Sequence, residues 1–361
     1  MDLLFIHRGI HGYSDGVVRQ GSKKSYWRWL FPVGSIIVSV YYIPWLILGF
    51  WFTPAADSIQ EQVDLAERFD LDGIVVHVDG TGFKGTYTAG WHDRAAKIPA
   101  RPDALFKIAS IGKMYVATAI TKLVSDGTID LAAPLSNYLP GVASHFKYGD
   151  ELTVASMVMH KSGLPNYVDH RDYPWDAPPQ SSLGHLQYAY DMEQEFRPME
   201  DSAYSNTNYL LLTMLMDTVL GYSHHRFIEE RVLRPLELDN TYLEMKQVDS
   251  DRVMSGYFVG YDPDIKDHYF GSMVATAEDV GRFVRAMHDG SLFTPEEAVL
   301  YDRIYVRSHT GLLPGYQSLV RYYPDLDAVL VQFTNTNGGY AWNIHTIMHN
   351  KIVRILRRYK E

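Results

Sequence analysis

A serine and a lysine three residues apart lie on one face of a helix, and a hydroxyl beside an amine is a nucleophile beside a base. Ser110-Ile111-Gly112-Lys113 has that spacing. Ser110 would open a helix, where unpaired backbone N–H groups and the helix dipole favour a developing oxyanion. Lys113, one turn deeper, would accept or relay the hydroxyl proton. Tyr204-Ser205-Asn206 adds a phenol able to shuttle protons and an amide able to orient a substrate carbonyl. His309-Thr310-Gly311 precedes Pro314-Gly315, and a glycine there lets a substrate approach a strand edge. Arg307, two residues before His309, is expected on the same strand face.

Three other patterns lack the context their chemistry needs. Ser144-His145-Phe146-Lys147 repeats the Ser/Lys spacing, but in a Gly- and Asp-rich loop without helical periodicity. Gly12-Tyr13-Ser14-Asp15-Gly16 fits the G-x-S-x-G nucleophile elbow, yet lies in a short polar segment with no core to hold it. His224, His225 and Glu229 have helical metal-ligand spacing without an H-E-x-x-H pattern, and read as a solvated helix face. No metal or organic cofactor is expected.

The elements that must position the three sets follow from periodicity. Val116, Ile120, Leu123 and Val124 recur at helical intervals and Gly127 closes the run, so a helix is expected over residues 110–126. The β-branched run 74–78, a turn cluster at 79–82 and Thr86-Tyr87-Thr88 read as a hairpin. Further helices are expected over 208–219 and 278–288, strands over 305–308, 317–323 and 328–333, and a closing helix over 340–359. Residues 140–200 read as loops broken by short helices. Strands at both chain ends with helices between predict an α+β fold, an antiparallel sheet flanked by helices with an inserted all-helical region.

The three sets, in this order, resemble the serine β-lactamase and penicillin-binding-protein superfamily, and most closely its branch of class C β-lactamases, DD-carboxypeptidases and related esterases. The flanks share the resemblance: residues 106–113, the 127–141 stretch, Met159-His160-Lys161-Ser162-Gly163-Leu164-Pro165, the 234–241 stretch and the 271–279 stretch. It spans roughly residues 65–355 and implies a β-lactamase/transpeptidase-like fold. By the same resemblance Ser110 would be acylated, Lys113 would activate it, and Tyr204 would handle protons in acylation and deacylation. Asn206 would bind the substrate amide, and the backbone N–H groups of Ser110 and Leu312 would form an oxyanion hole. Whether Lys113 or Tyr204 is the acylation base stays open. His309 stands where typical β-lactamases carry lysine, and a largely neutral imidazole removes a permanent partner for a substrate carboxylate. Strong β-lactamase activity is therefore not implied. A D-amino-acid peptide of the cell wall is the leading substrate, with an esterase or weak β-lactamase, or a catalytically silent binding domain, as alternatives.

The 361 residues carry a net charge of −10, which argues against nucleic-acid partners. With no cysteine, disulfides, thiolate metal sites and a cysteine nucleophile are excluded. Residues 29–56 hold no charged side chain, and the 24-residue run 29–52 is long enough to span a bilayer as one transmembrane helix, flanked by Trp27, Trp29 and Trp51. Arg8, Arg19, Lys23, Lys24 and Arg28 precede it, so residues 1–28 are expected in the cytoplasm and a hydrolase domain at 53–361 outside it, periplasmic or extracellular. The membrane and a small-molecule or peptide substrate are the expected partners; oligomeric state is not legible.

Overall fold

The computed structural model describes residues 44–268 and 270–361. The apolar run enters the described part as helix α1 (Trp45–Phe52), whose Phe50 is fully buried against Phe69 with ring centroids 4.1 Å apart. The β-branched run forms β1 (Gly73–Gly80), which pairs antiparallel with β2 (Phe83–Asp93) through a tight turn, followed by the short edge strand β3 (Ile98–Pro99). Next come α2 (Gly112–Ser125), α3 (Asn206–Leu220), α4 (Ala277–Asp289) and α5 (Pro295–Ile304). The chain then returns to the sheet as β4 (His309–Leu313), β5 (Tyr316–Tyr323) and β6 (Ala328–Thr334), and closes with α6 (Ala341–Lys360). The strands lie in the order β3-β2-β1-β6-β5-β4, with every pairing antiparallel. The two chain ends therefore meet at the β1–β6 pair.

Alternation along the strands divides the core. Ile74, Val76, Val78, Leu330 and Ala328 face a layer formed with α6 and the α1 end, where Ile344, Met348, Ile352 and Leu356 are buried. Val75, Val329, Val331 and Phe333 face the larger layer shared with α2, α3 and α4. His77 also points to that side: a Cβ on Gly281 of α4 would stand 2.8 Å from its Cδ2, so helix and sheet meet there only because residue 281 is glycine. The inserted region between β3 and β4 holds α2, α3 and short helices at Pro140–Ala143, Val154–Val158 and Ser182–Tyr190. It also holds a small antiparallel sheet of Phe106–Lys107, Val274–Ala275 and Thr241–Tyr242.

The expected strand over 305–308 is not formed. Thr294 caps α5 with a capping box to Glu297, and Tyr305 N–H donates to Tyr301 O at 2.8 Å, so residue 305 ends a helix and the strand begins only at His309. The expected helix over 110–126 starts as one 3-10 turn, Ala109–Ile111, before α2 proper. Most of the run expected to span a membrane, and the 12–16 pattern, lie outside the described residues. Among the described residues no helix is long and apolar enough to cross a membrane. The basic amphipathic α6 packs its apolar side on the sheet, as amphipathic helices ordinarily do.

Candidate active site

Ser110 sits on the turn that feeds α2, and the backbone before it is held under strain. Ala109 has φ +52°, a left-handed conformation unfavourable to a residue with a Cβ. Three contacts maintain it: Ala109 N–H donates to Ser272 Oγ at 2.9 Å, Ile108 N–H to Met273 O at 3.1 Å, and Ser318 Oγ–H to Ile108 O at 2.9 Å. On the strand side a Cβ at Gly311 would stand 2.2 Å from Ser318 Oγ, 2.5 Å from Ile108 O and 2.9 Å from Ala109 Cβ. Glycine is thus required at 311 so that β4 can lie against the turn carrying Ser110.

Side chains from three distant segments converge on the Ser110 hydroxyl. Lys113 Nζ donates to Ser110 Oγ at 3.2 Å and to Asn206 Oδ1 at 2.7 Å. Tyr204 OH lies 2.6 Å from Ser110 Oγ, 94 residues away along the chain. The Lys113 ammonium also lies over the rings of Tyr204, at 5.1 Å, and Tyr209, at 5.7 Å. Asn206 is fixed in turn, because its N–H and Nδ2 both donate to Asn166 Oδ1, at 3.0 and 3.1 Å. Its amide oxygen therefore faces Lys113 and its amide nitrogen faces Asn166. Such a set can take a proton from a hydroxyl and return it to a leaving group.

β4 flanks this cluster as the edge strand of the sheet. The two-residue turn Pro314-Gly315 makes Leu313 and Tyr316 a hydrogen-bonded closing pair, so by alternation the amides of Thr310 and Leu312 turn outward from β5. A second outward donor beside the Ser110 turn is the arrangement an oxyanion needs. His309 points its ring between Tyr305, at 5.9 Å, and Tyr204, at 6.5 Å, and its Nδ1 donates to Thr310 O at 2.5 Å. Burial lowers its pKa to about 4, and the Lys113 charge pushes the same way, so the imidazole is neutral at pH 7 with its Nε2 lone pair available. Arg307 is not brought to the site. It precedes the strand instead of lying in it, and its guanidinium pairs bidentately with Asp302 at 2.6 and 2.9 Å while donating to Met287 O. Nothing compensates for the neutral His309 from that position.

A family model described as Beta-lactamase matches residues 62–303, about two-thirds of the 361 residues. The chain belongs to the beta-lactamase family. It is a serine hydrolase fold of the acyl-transfer type, shared with penicillin-binding-protein relatives. Penicillin-binding protein 4* of Bacillus subtilis (strain 168) is 23% identical over 322 residues, covering 75% of this chain and 69% of that protein. Protein flp of Staphylococcus aureus (strain NCTC 8325 / PS 47) is 26% identical over 353 residues, covering 84% and 70%. Among solved structures, D-amino acid amidase from Ochrobactrum anthropi SV3 complexed with L-phenylalanine superposes with a TM-score of 0.74 at 20% identity, covering 84% of this chain and 99% of that one. At that identity the likeness shows the fold.

Two residues of the beta-lactamase-like site were not singled out as site residues from sequence. His160 stacks on Tyr204 with ring centroids 4.5 Å apart, and Asn166 holds Asn206. His160 lies in the 159–165 stretch, which carries a motif signal, and Asn166 directly follows it; the sequence assigns neither side chain a role.

Proposed function

We propose that this chain forms an acyl-enzyme on Ser110 and hydrolyses an amide bond of a D-amino-acid peptide of the cell-wall type. The observation that carries the reading is the pair of contacts to Ser110 Oγ, from Lys113 at 3.2 Å and from Tyr204 at 2.6 Å. In acylation Ser110 Oγ bonds to the substrate carbonyl carbon and its proton passes to the Lys113/Tyr204 pair, which accepts it with one member deprotonated, a neutral amine or a phenolate. Both groups reach the hydroxyl, so the base is assigned to the pair. The carbonyl oxygen, now an oxyanion, accepts from the Ser110 and Leu312 amides. The C–N bond breaks as the pair returns the proton to the leaving amine, and water repeats the sequence in reverse roles to release the acid. Asn206 keeps Lys113 aimed at Ser110; Thr310 and Gly311 border the path of the substrate along β4. The names of the relatives, penicillin-binding proteins and a D-amino acid amidase, support the substrate class.

A specific observation favours a second reading, cleavage of an ester or of an amide whose leaving group bears no carboxylate. With His309 neutral and Arg307 bound to Asp302, neither of these residues offers a substrate carboxylate a fixed cation at the start of β4. Labelling with a fluorescent penicillin and with a fluorophosphonate separates the readings. Labelling by both, lost in Ser110→Ala, supports the peptidase; fluorophosphonate alone supports the esterase or amidase. No Ser110-dependent label overturns both and leaves a silent binding domain. We further propose a cytoplasmic N-terminus, a membrane-spanning helix within 29–52 whose last turns leave the bilayer, since Phe50 is buried against Phe69, and an extracytoplasmic hydrolase domain over 53–361; the reading rests on the charge asymmetry of the first 28 residues.

A further inference from the structure

Tyr204 is half exposed and sits on an irregular segment just before α3, yet its oxygen is held within 2.6 Å of Ser110 Oγ. Its own side chain cannot account for that precision, because a phenol on a loop has two free torsions. The neighbouring residue that constrains it is His160. The His160 carbonyl accepts Ala203 N–H at 3.0 Å, and its Nδ1 accepts Ser205 N–H at 3.2 Å, so one residue grips the backbone on both sides of Tyr204. Asn208 Nδ2 lies 3.3 Å from the same Nδ1. The imidazole stacks on the Tyr204 ring at 4.5 Å with an interplanar angle of 30°. To make these contacts together His160 adopts φ +55°, a left-handed conformation unfavourable to a non-glycine residue.

We propose that His160 is the positioning residue for Tyr204, gripping the backbone on either side of the phenol and backing its ring so that the oxygen stays over Ser110. The proposal rests on the acyl-enzyme reading above. With Nδ1 accepting, the imidazole proton resides on Nε2, which is buried with no hydrogen-bond partner. The rings of Tyr204, Tyr209 and Tyr305 surround it, and the charged or titratable groups facing it are Lys113 and His309. Burial and the Lys113 charge lower its pKa to about 3. His160 therefore supports Tyr204 without placing a second positive charge beside Lys113.

The test is the rate of Ser110 acylation by a fluorophosphonate and by a p-nitrophenyl ester, at a temperature where each variant is folded. His160→Phe keeps a stacked ring without the acceptor, and His160→Ala keeps neither. Misplacement of a catalytic group by about 1 Å costs on the order of 100-fold, so both should lose roughly 10- to 100-fold in the limiting acylation rate while KM stays within about threefold. His160→Asn puts an amide oxygen near the Nδ1 position and should recover to within about tenfold of wild type. In a Tyr204→Phe background, His160→Asn and His160→Phe should cost nothing further, because there is no phenol oxygen left to place. Wild-type rates in His160→Phe, an equal additional loss in the Tyr204→Phe background, or an effect confined to KM would overturn the proposal. Failure of the wild type itself to label would instead sink the acyl-enzyme reading, so the two failures are distinct.

Discussion

A hydroxyl that receives hydrogen bonds from a lysine nitrogen and a phenol is poised to lose its proton only when one of those groups is deprotonated and can accept, and their reach depends on where backbone, not side chains, has been placed. Gly311 sets that placement. Its missing Cβ leaves room for Ile108 O, Ala109 Cβ and Ser318 Oγ, all within 3 Å of where one would stand. Gly311→Ala must push β4 away from the Ser110 turn and move the outward Leu312 amide with it. Loss of one oxyanion donor costs about 100- to 1000-fold in rate. Gly311→Ala should therefore lower the acylation rate at least about tenfold in protein that remains folded, with a loss of about 1–3 kcal/mol in unfolding free energy from overpacking. Stopped-flow acylation with parallel denaturant melts checks this; a folded variant with wild-type acylation would contradict it.

At the scale of elements, the layer between β6, β5 and α6 buries two neutral histidines. His345 Nδ1 meets Thr334 Oγ1 at 2.9 Å and His349 Nε2 meets Tyr323 OH at 2.7 Å, while the second ring nitrogen of each has no partner. Burial lowers both pKa values to about 3, against about 6.5 in an unfolded chain. Above pH 6.5 both states are neutral and stability is at its full value. As pH falls from 6.5 towards 3 the unfolded chain takes up protons that the folded layer refuses, so stability falls, by up to about 1.4 kcal/mol per pH unit for each group. Thermal unfolding measured from pH 8 to pH 4.5 should show the midpoint declining below pH 6.5, and the double variant His345→Asn/His349→Gln should flatten that decline. An identical decline in the variant would contradict the assignment. The sheet and its flanking helices were legible because their apolar residues recur at strand or helix intervals: 74–78, 317–323 and 328–333 became β1, β5 and β6 within two residues at each end. The strand expected over 305–308 was misread because apolar Tyr305 and Val306 follow α5, and a helix end and a strand start share the same residue types. Arg307 went astray for a related reason: its direction is fixed by Asp302, one turn and a half back in α5, which spacing along a supposed strand does not reveal. Ser110 and Lys113 were readable because their relation is local, three residues on one helix. The roles of His160 and Asn166 depend on contacts across 45 and 40 residues, and a lone His or Asn carries no periodic signal.

For the whole molecule, the sheet is closed by both chain ends, and the start of the hydrolase unit is fastened to its end. Lys351 and Arg358 of α6 donate to the carbonyls of Thr53 and Ala56, and Phe50 is buried beside Lys351 with Nζ 5.1 Å from its ring centroid. Trp51 and Phe52, by contrast, are more than half exposed. A reporter fused at the N-terminus that is active only in the cytoplasm, together with protease access to the hydrolase unit from outside intact cells, is the outcome expected of the proposed topology. An N-terminal reporter active only outside would reverse it.

The central claim is that Ser110, Lys113 and Tyr204 act as one reactive set. Its most direct measurement is mass-mapped trapping of the covalent intermediate with a fluorophosphonate. A single adduct on the Ser110 peptide is predicted, absent from Ser110→Ala and formed at least about 100-fold more slowly in Lys113→Ala and Tyr204→Phe. An adduct on another residue, or undiminished trapping in either variant, would contradict the account.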